Sequence, residues 1–136
     1  MRITYATNET LTAEELENLF LSVDWLSGQY PQKLAQAMAN TSMVFTARHE
    51  GKLIALASVL DDGVMTAYVH YLLVSPAYQG LGIGKTLVHQ IKEHYRDYLY
   101  LLVIPEEKRN VSYYENLGFE IIENATPMQN KDISDY

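Results

Sequence analysis

The segment that decides the fold runs from Leu72 to Val88 and reads LLVSPAYQGLGIGKTLV. Its apolar start predicts a buried strand that stops near Ser75, because Pro76 has no N–H to donate to a sheet ladder. Three glycines follow at alternate positions, where the missing Cβ atoms let the backbone approach a bulky ligand, namely Gly80, Gly82 and Gly84. A helix pattern begins at once, and a helix start offers free N–H groups and a positive dipole end. The segment therefore predicts an anion site, whose usual occupant is a phosphate.

Two well-known phosphate loops do not fit this segment. The dinucleotide-binding loop needs G-x-G-x-x-G, whereas the glycines here are spaced G-x-G-x-G. The Walker A loop needs G-x-x-x-x-G-K-S/T, and Gln79 stands where its first glycine is required. The pattern that fits is Q/R-x-x-G-x-G/A over Gln79–Gly84. It resembles the pyrophosphate loop of the GCN5-related N-acetyltransferase (GNAT) superfamily.

A second motif supports the same resemblance. Tyr113–Phe119 reads YYENLGF and is similar to the F/Y-Y-E-x-x-G-F segment of that family. Gly118 is placed to end a helix in a left-handed C-cap. The two motifs occur in the family's order, and the resemblance extends over positions 42–123. It identifies the superfamily and leaves the substrate open.

The resemblance implies an α/β fold of the GNAT type in a single domain over residues 1–136. Such a fold has a mixed, mainly antiparallel sheet of about six or seven strands, flanked by about four helices, with a splayed central strand pair. Alternating apolar residues and turn signals predict the strands at 2–6, 42–49, 53–60, 65–74, 99–104 and 119–123. Helix signals predict one helix after a capping box of Thr12 and Glu15, a second that begins at Pro31, and two more at 82–95 and 106–117. The polar tail 124–136 is expected to be loose or to pair with another subunit.

Composition restricts the classes of function. With no cysteine, the 136-residue chain has neither a disulfide framework nor a thiolate nucleophile, and no metal site is expected. A net charge of −7 and a pI near 5.0 argue against a general nucleic-acid binder and are compatible with a cationic amine substrate. No apolar run approaches the ~20 residues of a membrane span. The N-terminus has no signal-peptide pattern, so a cytoplasmic location without membrane attachment is expected.

The resemblance implies acetyl-CoA as the co-substrate. Its pyrophosphate is expected to accept hydrogen bonds from the glycine loop, and its pantetheine arm to lie along the end of the 65–74 strand as a pseudo-strand. One N–H group of that strand end is the expected oxyanion donor. The cofactor-binding residues implied in this way are Leu72, Leu73, Val74, Gln79, Gly80, Leu81, Gly82, Ile83, Gly84 and Lys85.

Two residues are candidates for proton transfer. Tyr114 corresponds to the family tyrosine whose hydroxyl approaches the cofactor sulfur, so the resemblance implies that it is the general acid. His70 is the one histidine on the predicted central strand, and its side chain suits a general base near neutral pH. Each has a purely structural alternative, as a packed aromatic residue or a hydrogen-bonded core residue. Glu50, Asp61 and Asp62 lie in predicted turns, where carboxylates are usually part of the turn.

Two functional hypotheses remain at this stage. The first is an N-acetyltransferase that transfers acetyl directly to a primary amine, with a small-molecule acceptor expected and a homodimer possible. The second is an acyl-CoA-binding or interaction protein that has kept the fold and lost turnover. Position 107 motivates the second hypothesis, because many family members carry an asparagine there that contacts the cofactor, and this chain has Glu107. A nucleotide-binding P-loop protein is a more distant alternative.

Overall fold

The structure is a computed structural model that describes residues 1–107 and 109–130. It divides into two compact units, Met1–Val103 and Ile104–Tyr136. No helix in the described part of the chain is both long and apolar enough to cross a bilayer.

The first unit is a five-stranded sheet with helices packed against it. Its strands are β1 (Thr4–Thr7), β2 (Met43–His49), β3 (Lys52–Asp61), β4 (Thr66–Val74) and β5 (Tyr100–Val103), and its α-helices are α1 (Ala13–Ser22), α2 (Pro31–Asn40) and α3 (Ile83–His94). The strands lie in the order β1-β2-β3-β4-β5. Every neighbouring pair is antiparallel except β4 and β5, which are parallel. The prediction of a mixed, mainly antiparallel sheet is therefore confirmed.

Two apolar clusters form the core of this unit. One packs α3 on the sheet, through side chains such as Leu87 and Ile91 against Val59. The other packs α1 and α2 against side chains that include Leu56 and Leu73. Because side chains along a strand point alternately to its two faces, β3 is buried on both and reads as a nearly continuous apolar run.

The helix and turn signals in the sequence are confirmed. Thr12 Oγ1 accepts from Glu15 N at 3.1 Å, and a Glu15 carboxylate oxygen accepts from Thr12 N at 2.8 Å, which completes the capping box. Pro31 is the first residue of α2. The β2–β3 turn has positive φ at Glu50 (50°) and Gly51 (81°), as expected of a tight hairpin turn.

The second unit contains α4 (Arg109–Asn116), which is shorter than the predicted 106–117 helix. Gly118 has φ 95°, and Phe119 N donates to Tyr114 O at 3.0 Å, so the predicted left-handed end of the helix is confirmed.

The predicted sixth strand is wrong. Residues 119–123 adopt no strand conformation, and the described residues contain five strands rather than six or seven. The N–H of Phe119 closes the end of α4 instead of entering a ladder. Ile121 and Ile122 are adjacent and 61% and 59% exposed, so the segment lacks the alternation that buries one face of a strand. The last part of the predicted tail, 131–136, lies outside the described residues.

Candidate active site

The parallel pair β4–β5 lies at one edge of the sheet, and its pairing ends after four residues, where β5 itself ends. β4 pairs with β5 from Thr66 to Val69, opposite Tyr100–Val103. β4 then continues to Val74 along β3 alone. In the described part of the chain, residues 70–74 of β4 therefore have a paired strand on one side only. The splay of a central strand pair, which the resemblance implied, stays a prediction, because all four residues of β5 are paired with β4.

The ladder indicates which backbone groups face the open side of β4. Ser75 N donates to Ile54 O at 2.8 Å, so these two residues form a hydrogen-bonded pair. Such pairs alternate with non-hydrogen-bonded pairs in an antiparallel ladder. By that alternation, Leu73 directs its N–H and C=O toward β3, whereas Leu72 and Val74 direct theirs toward the open edge. The Gln79 side chain, whose Nε2 donates to Val74 O at 2.9 Å, agrees with this orientation.

The glycine loop leads from the end of β4 into α3. Gly80 and Gly82 have φ of 80° and 81°, a left-handed conformation that glycine adopts without strain. A Cβ placed on either residue would meet no protein atom within 4 Å, so the space beside the loop is open.

The backbone N–H groups of residues 80–85 are available to a ligand. Within the described ranges none of them donates to a protein acceptor, and the first N–H of α3 to do so is that of Thr86, to Gly82 O at 3.0 Å. The side chain of Ile83 is buried and fixes the start of α3 in the core, while Lys85 is exposed. Together these groups have the arrangement expected of the anion site that the sequence predicts, with the dipole of α3 behind it.

One contact to this loop was missed by sequence reasoning. His49, at the end of β2, lies with its Nδ1 3.0 Å from the hydroxyl of Tyr78, and the two rings meet edge to face at 5.5 Å. Tyr78 directly precedes Gln79. The two partners are 29 residues apart in sequence, so no local pattern could reveal the contact.

His70 occupies a β-bulge. The β3–β4 register pairs Ser58 with Tyr71 and then Val59 with Val69, which leaves His70 as the extra residue. Consecutive side chains normally point to opposite faces of a strand, yet the rings of His70 and Tyr71 stack at 4.2 Å with an angle of 26°. The bulge thus turns His70, which is exposed, toward the side of the sheet on which Tyr71 lies.

The segment between α1 and α2 packs beside this bulge. Ser27 Oγ and the Tyr71 hydroxyl are hydrogen-bonded at 2.6 Å. The Tyr71 ring also contacts Phe20 at 5.0 Å and Trp25 at 5.9 Å. Trp25 is therefore largely a packing residue, although its ring borders the same cluster. Tyr30, directly before α2, is 49% exposed.

The turn carboxylates have structural roles. Asp61 Oδ2 accepts from the Tyr95 hydroxyl at 2.6 Å. Asp62 Oδ1 accepts from the backbone N–H groups of Met65, Val64 and Thr66, which lower its pKa. Burial and the Asp61 hydrogen bond raise the pKa of Tyr95.

Tyr114 belongs to the second unit. It lies on α4 and is half-buried, with its ring 5.3 Å from Tyr113 and 5.8 Å from Phe119. Its carbonyl accepts from Leu117 N and Phe119 N, both at 3.0 Å. Glu107 precedes the helix.

Comparison with known proteins gives consistent findings. A family model described as "Acetyltransferase (GNAT) family" matches residues 10–119. An uncharacterized N-acetyltransferase, ycf52, of Pyropia yezoensis is 29% identical over 119 residues, which is 84% of this chain and 68% of that protein. The GCN5-related N-acetyltransferase 2, chloroplastic, of Arabidopsis thaliana is 32% identical over 65% of this chain and 42% of that protein. The chain spans less than two-thirds of the length of several such curated relatives.

A solved structure also covers nearly the whole chain. It is that of a GNAT-family acetyltransferase from Streptococcus pneumoniae TIGR4, with a TM-score of 0.81 and 27% identity over 96% of this chain and 99% of that one.

Proposed function

Since this chain belongs to the acetyltransferase (GNAT) family, we propose that it transfers the acetyl group of acetyl-CoA to a primary amine by direct attack, in a complex that holds both substrates. The observation that carries the proposal is the continuity of two groups of free hydrogen-bond donors. The open edge of β4 leads directly into the loop whose N–H groups at residues 80–85 have no acceptor among the described residues. An elongated ligand with amides at one end and phosphates at the other matches that sequence of donors.

The cofactor is assigned to this track residue by residue. The pantetheine amides pair with the backbone groups of Leu72 and Val74, the two residues whose polar groups face the open edge. Leu73 contributes through packing, because its polar groups face β3. The pyrophosphate accepts from the N–H groups between Gly80 and Lys85, and the exposed Lys85 ammonium adds positive charge. The Gln79 side chain donates a hydrogen bond to the Val74 carbonyl and so stabilises the end of β4.

Acetyl transfer then needs three further steps. The amine nitrogen attacks the thioester carbonyl, a C–N bond forms, and the resulting oxyanion is stabilised by an N–H group of the β4 end. Collapse of this intermediate breaks the C–S bond and expels the CoA thiolate, which takes a proton from the Tyr114 hydroxyl. Before the attack, the ammonium form of the acceptor gives one proton to His70, directly or through water, so that its nitrogen has a free electron pair. The second proton, which the nitrogen loses as the amide forms, restores the Tyr114 hydroxyl. An acetyl-cysteine intermediate is excluded because the chain has no cysteine.

The acceptor is proposed to be a small cationic amine. The net charge of −7 favours the approach of a cation. The bulge places the exposed His70 beside Tyr71 and the α1–α2 segment, which together border the β4 edge. An amine bound there would lie next to the proposed base.

The first experiment is a calorimetric titration of the protein with acetyl-CoA, with ATP as the control. We expect micromolar binding of acetyl-CoA and no binding of ATP. Absence of acetyl-CoA binding would overturn the proposal. Release of free thiol from acetyl-CoA with any member of an amine panel separates an active enzyme from an acyl-CoA-binding protein without turnover.

The loop itself can be tested with a matched pair of glycine substitutions. Gly82 (φ +81°) and Gly63 (φ +82°) have nearly the same positive φ, and a Cβ on either meets nothing within 4 Å. Asparagine tolerates this conformation best among the residues that carry a side chain. We expect Gly82→Asn to weaken acetyl-CoA binding about tenfold or more, because its side chain occupies the space of the phosphates. Gly63→Asn, in the β3–β4 turn, should leave the affinity unchanged, and equal affinities for both variants would contradict the assignment of the loop.

A further inference from the structure

We propose that His49 and Tyr78 act as a positioning pair for the phosphate loop, and that their hydrogen bond sets the affinity for the pyrophosphate part of the cofactor. The inference rests on the proposed function, because it assumes that the loop binds the pyrophosphate of a CoA ester. The observation behind it is the 3.0 Å contact between His49 Nδ1 and the Tyr78 hydroxyl.

The loop has few other means of support. Gly80 and Gly82 have no side chains, and a Cβ placed on either would meet no protein atom within 4 Å. The position of the free N–H groups must therefore be determined at the two ends of the loop. The far end is fixed by the buried side chain of Ile83, which packs in the core at the start of α3.

Two contacts join the near end to other strands, and a third lies within the turn. Ser75 N donates to Ile54 O at 2.8 Å and ties the chain to β3. Gln79 Nε2 donates to Val74 O at 2.9 Å, a contact within the turn itself. The His49–Tyr78 contact is the one side-chain hydrogen bond, among the described residues, that joins residues 75–80 to a different strand. Tyr78 lies two residues before Gly80, so a displacement of its ring moves the first N–H of the loop.

The surroundings of His49 and Tyr78 favour one arrangement of the two side chains. The Tyr78 ring is half-buried and packs against the α3 side of the core. His49 ends β2, which is paired with β3 from Met43 to His49 with one register shift between Ala47 and Arg48. The two rings also meet edge to face at 5.5 Å, an arrangement that favours one orientation. A residue of a paired strand thus contacts the hydroxyl end of Tyr78 and determines where it lies. Neither residue is assigned a role in the chemistry of transfer.

The experiment compares variants and ligands in one series. Tyr78→Phe removes the hydroxyl alone, and His49→Leu removes both ring nitrogens. His49→Asn keeps a polar atom near the position of Nδ1 and serves as the conservative rescue. His89→Leu, an exposed histidine in the middle of α3, is the control. Each protein is titrated with CoA and with dephospho-CoA, and its kinetics are measured with acetyl-CoA and with S-acetylpantetheine, which lacks the pyrophosphate.

We expect Tyr78→Phe and His49→Leu each to weaken binding of CoA and dephospho-CoA about three- to tenfold, the usual effect of one lost hydrogen bond. The double variant should be no weaker than the singles, because the two residues share one interaction. The KM for acetyl-CoA should rise while kcat stays within about twofold of that of the unaltered protein. The KM for S-acetylpantetheine should not change, and His49→Asn should bind like the unaltered protein.

Two results would overturn the inference. One is a folded Tyr78→Phe variant, with an unchanged melting temperature, that binds CoA as tightly as the unaltered protein. The other is an equal loss for S-acetylpantetheine and acetyl-CoA, which would indicate a general loosening of the fold. If the unaltered protein binds no CoA, the proposed function itself is wrong, and this inference with it. If the unaltered protein binds CoA and the variants bind it equally well, only this inference is wrong.

Discussion

In the proposed reaction, the Tyr114 hydroxyl protonates the CoA thiolate. We expect Tyr114→Phe to lower kcat by about 10²–10⁴-fold, the usual size of a general-acid effect. The Kd for acetyl-CoA should change little, because the hydroxyl is needed only when the sulfur becomes negative. Steady-state kinetics and calorimetry on the same preparation check both quantities.

The neighbouring tyrosine supplies the control for this residue. Tyr113→Phe removes the hydroxyl of the preceding residue of α4. Burial raises the pKa of the Tyr113 hydroxyl. Its kcat should stay within about threefold of that of the unaltered protein, well below a general-acid effect. Equal kcat values for the two variants would remove Tyr114 from the mechanism.

His70 can be tested through the pH dependence of the reaction. If it accepts the proton of the amine, His70→Asn should lower kcat/KM by about 10²-fold near neutral pH. The variant should also lose the inflection that an essential imidazole produces on the acid side of the profile. His89→Asn, an exposed histidine on α3, serves as the control. A profile that keeps its shape in His70→Asn would assign the proton to water instead.

At the level of elements, α3 is held at both ends by different interactions. Its start carries the phosphate loop, and its end is fixed to β3 by the hydrogen bond from the Tyr95 hydroxyl to Asp61, at 2.6 Å. About 18 Å of helix separates these two points, from a rise of ~1.5 Å per residue. Changes at the end of α3 should therefore affect stability without affecting the cofactor.

This separation predicts the behaviour of Tyr95→Phe. The variant loses a hydrogen bond to a carboxylate, so its free energy of unfolding should be about 1.5–3 kcal/mol lower. Its affinity for acetyl-CoA should equal that of the unaltered protein. Urea unfolding and calorimetry measure the two effects. A loss of affinity without a loss of stability would contradict the assignment of Tyr95 to structure alone.

For the molecule as a whole, carboxylates in ion pairs make the free energy of unfolding depend on pH in the acid range. Burial raises the pKa of Glu15, but the hydrogen bonds from Arg48 and Thr12 outweigh it, and the pKa is lowered overall. Arg48 also bonds Glu9, at 2.8 Å, so one guanidinium joins β2 to the start of α1 and to the segment before it. A carboxyl whose pKa is lower in the folded state contributes stability above its unfolded pKa, and this contribution is lost as the pH falls through the folded value.

The free energy of unfolding should therefore decrease as the pH falls from about 5 to about 3, where such carboxyls are protonated. Arg48→Met should be less stable than the unaltered protein near neutral pH, and its stability should fall less steeply over this window, because Glu15 has lost its partner. Lys52→Met, which removes an exposed cation from the β2–β3 turn region, is the control. Urea unfolding at a series of pH values provides the comparison, and parallel pH curves for Arg48→Met and the unaltered protein would contradict the assignment.

Much of the fold could be predicted because its signals are local. The capping box of Thr12 and Glu15, the break at Pro76 and the left-handed Gly118 each depend on a few neighbouring residues, and all three are confirmed. The two motifs were sufficient to predict the family, the mixed sheet and an acetyltransferase enzyme, which are confirmed at the level of the family. The assigned roles of the individual site residues stay predictions.

The rest was decided by pairing between distant segments. Only the β3–β4 register makes His70 the extra residue of a bulge, and only the end of β5 at Val103 leaves the edge of Leu72 and Val74 without a paired strand. The contact of His49 with Tyr78 is of the same kind. The strand predicted at 119–123 failed for the converse reason: a strand exists only where a partner satisfies its backbone, and no local pattern specifies that partner. The sequence by itself thus determined the caps, the glycines and the motifs, while the tertiary structure decided which backbone groups remain free to bind.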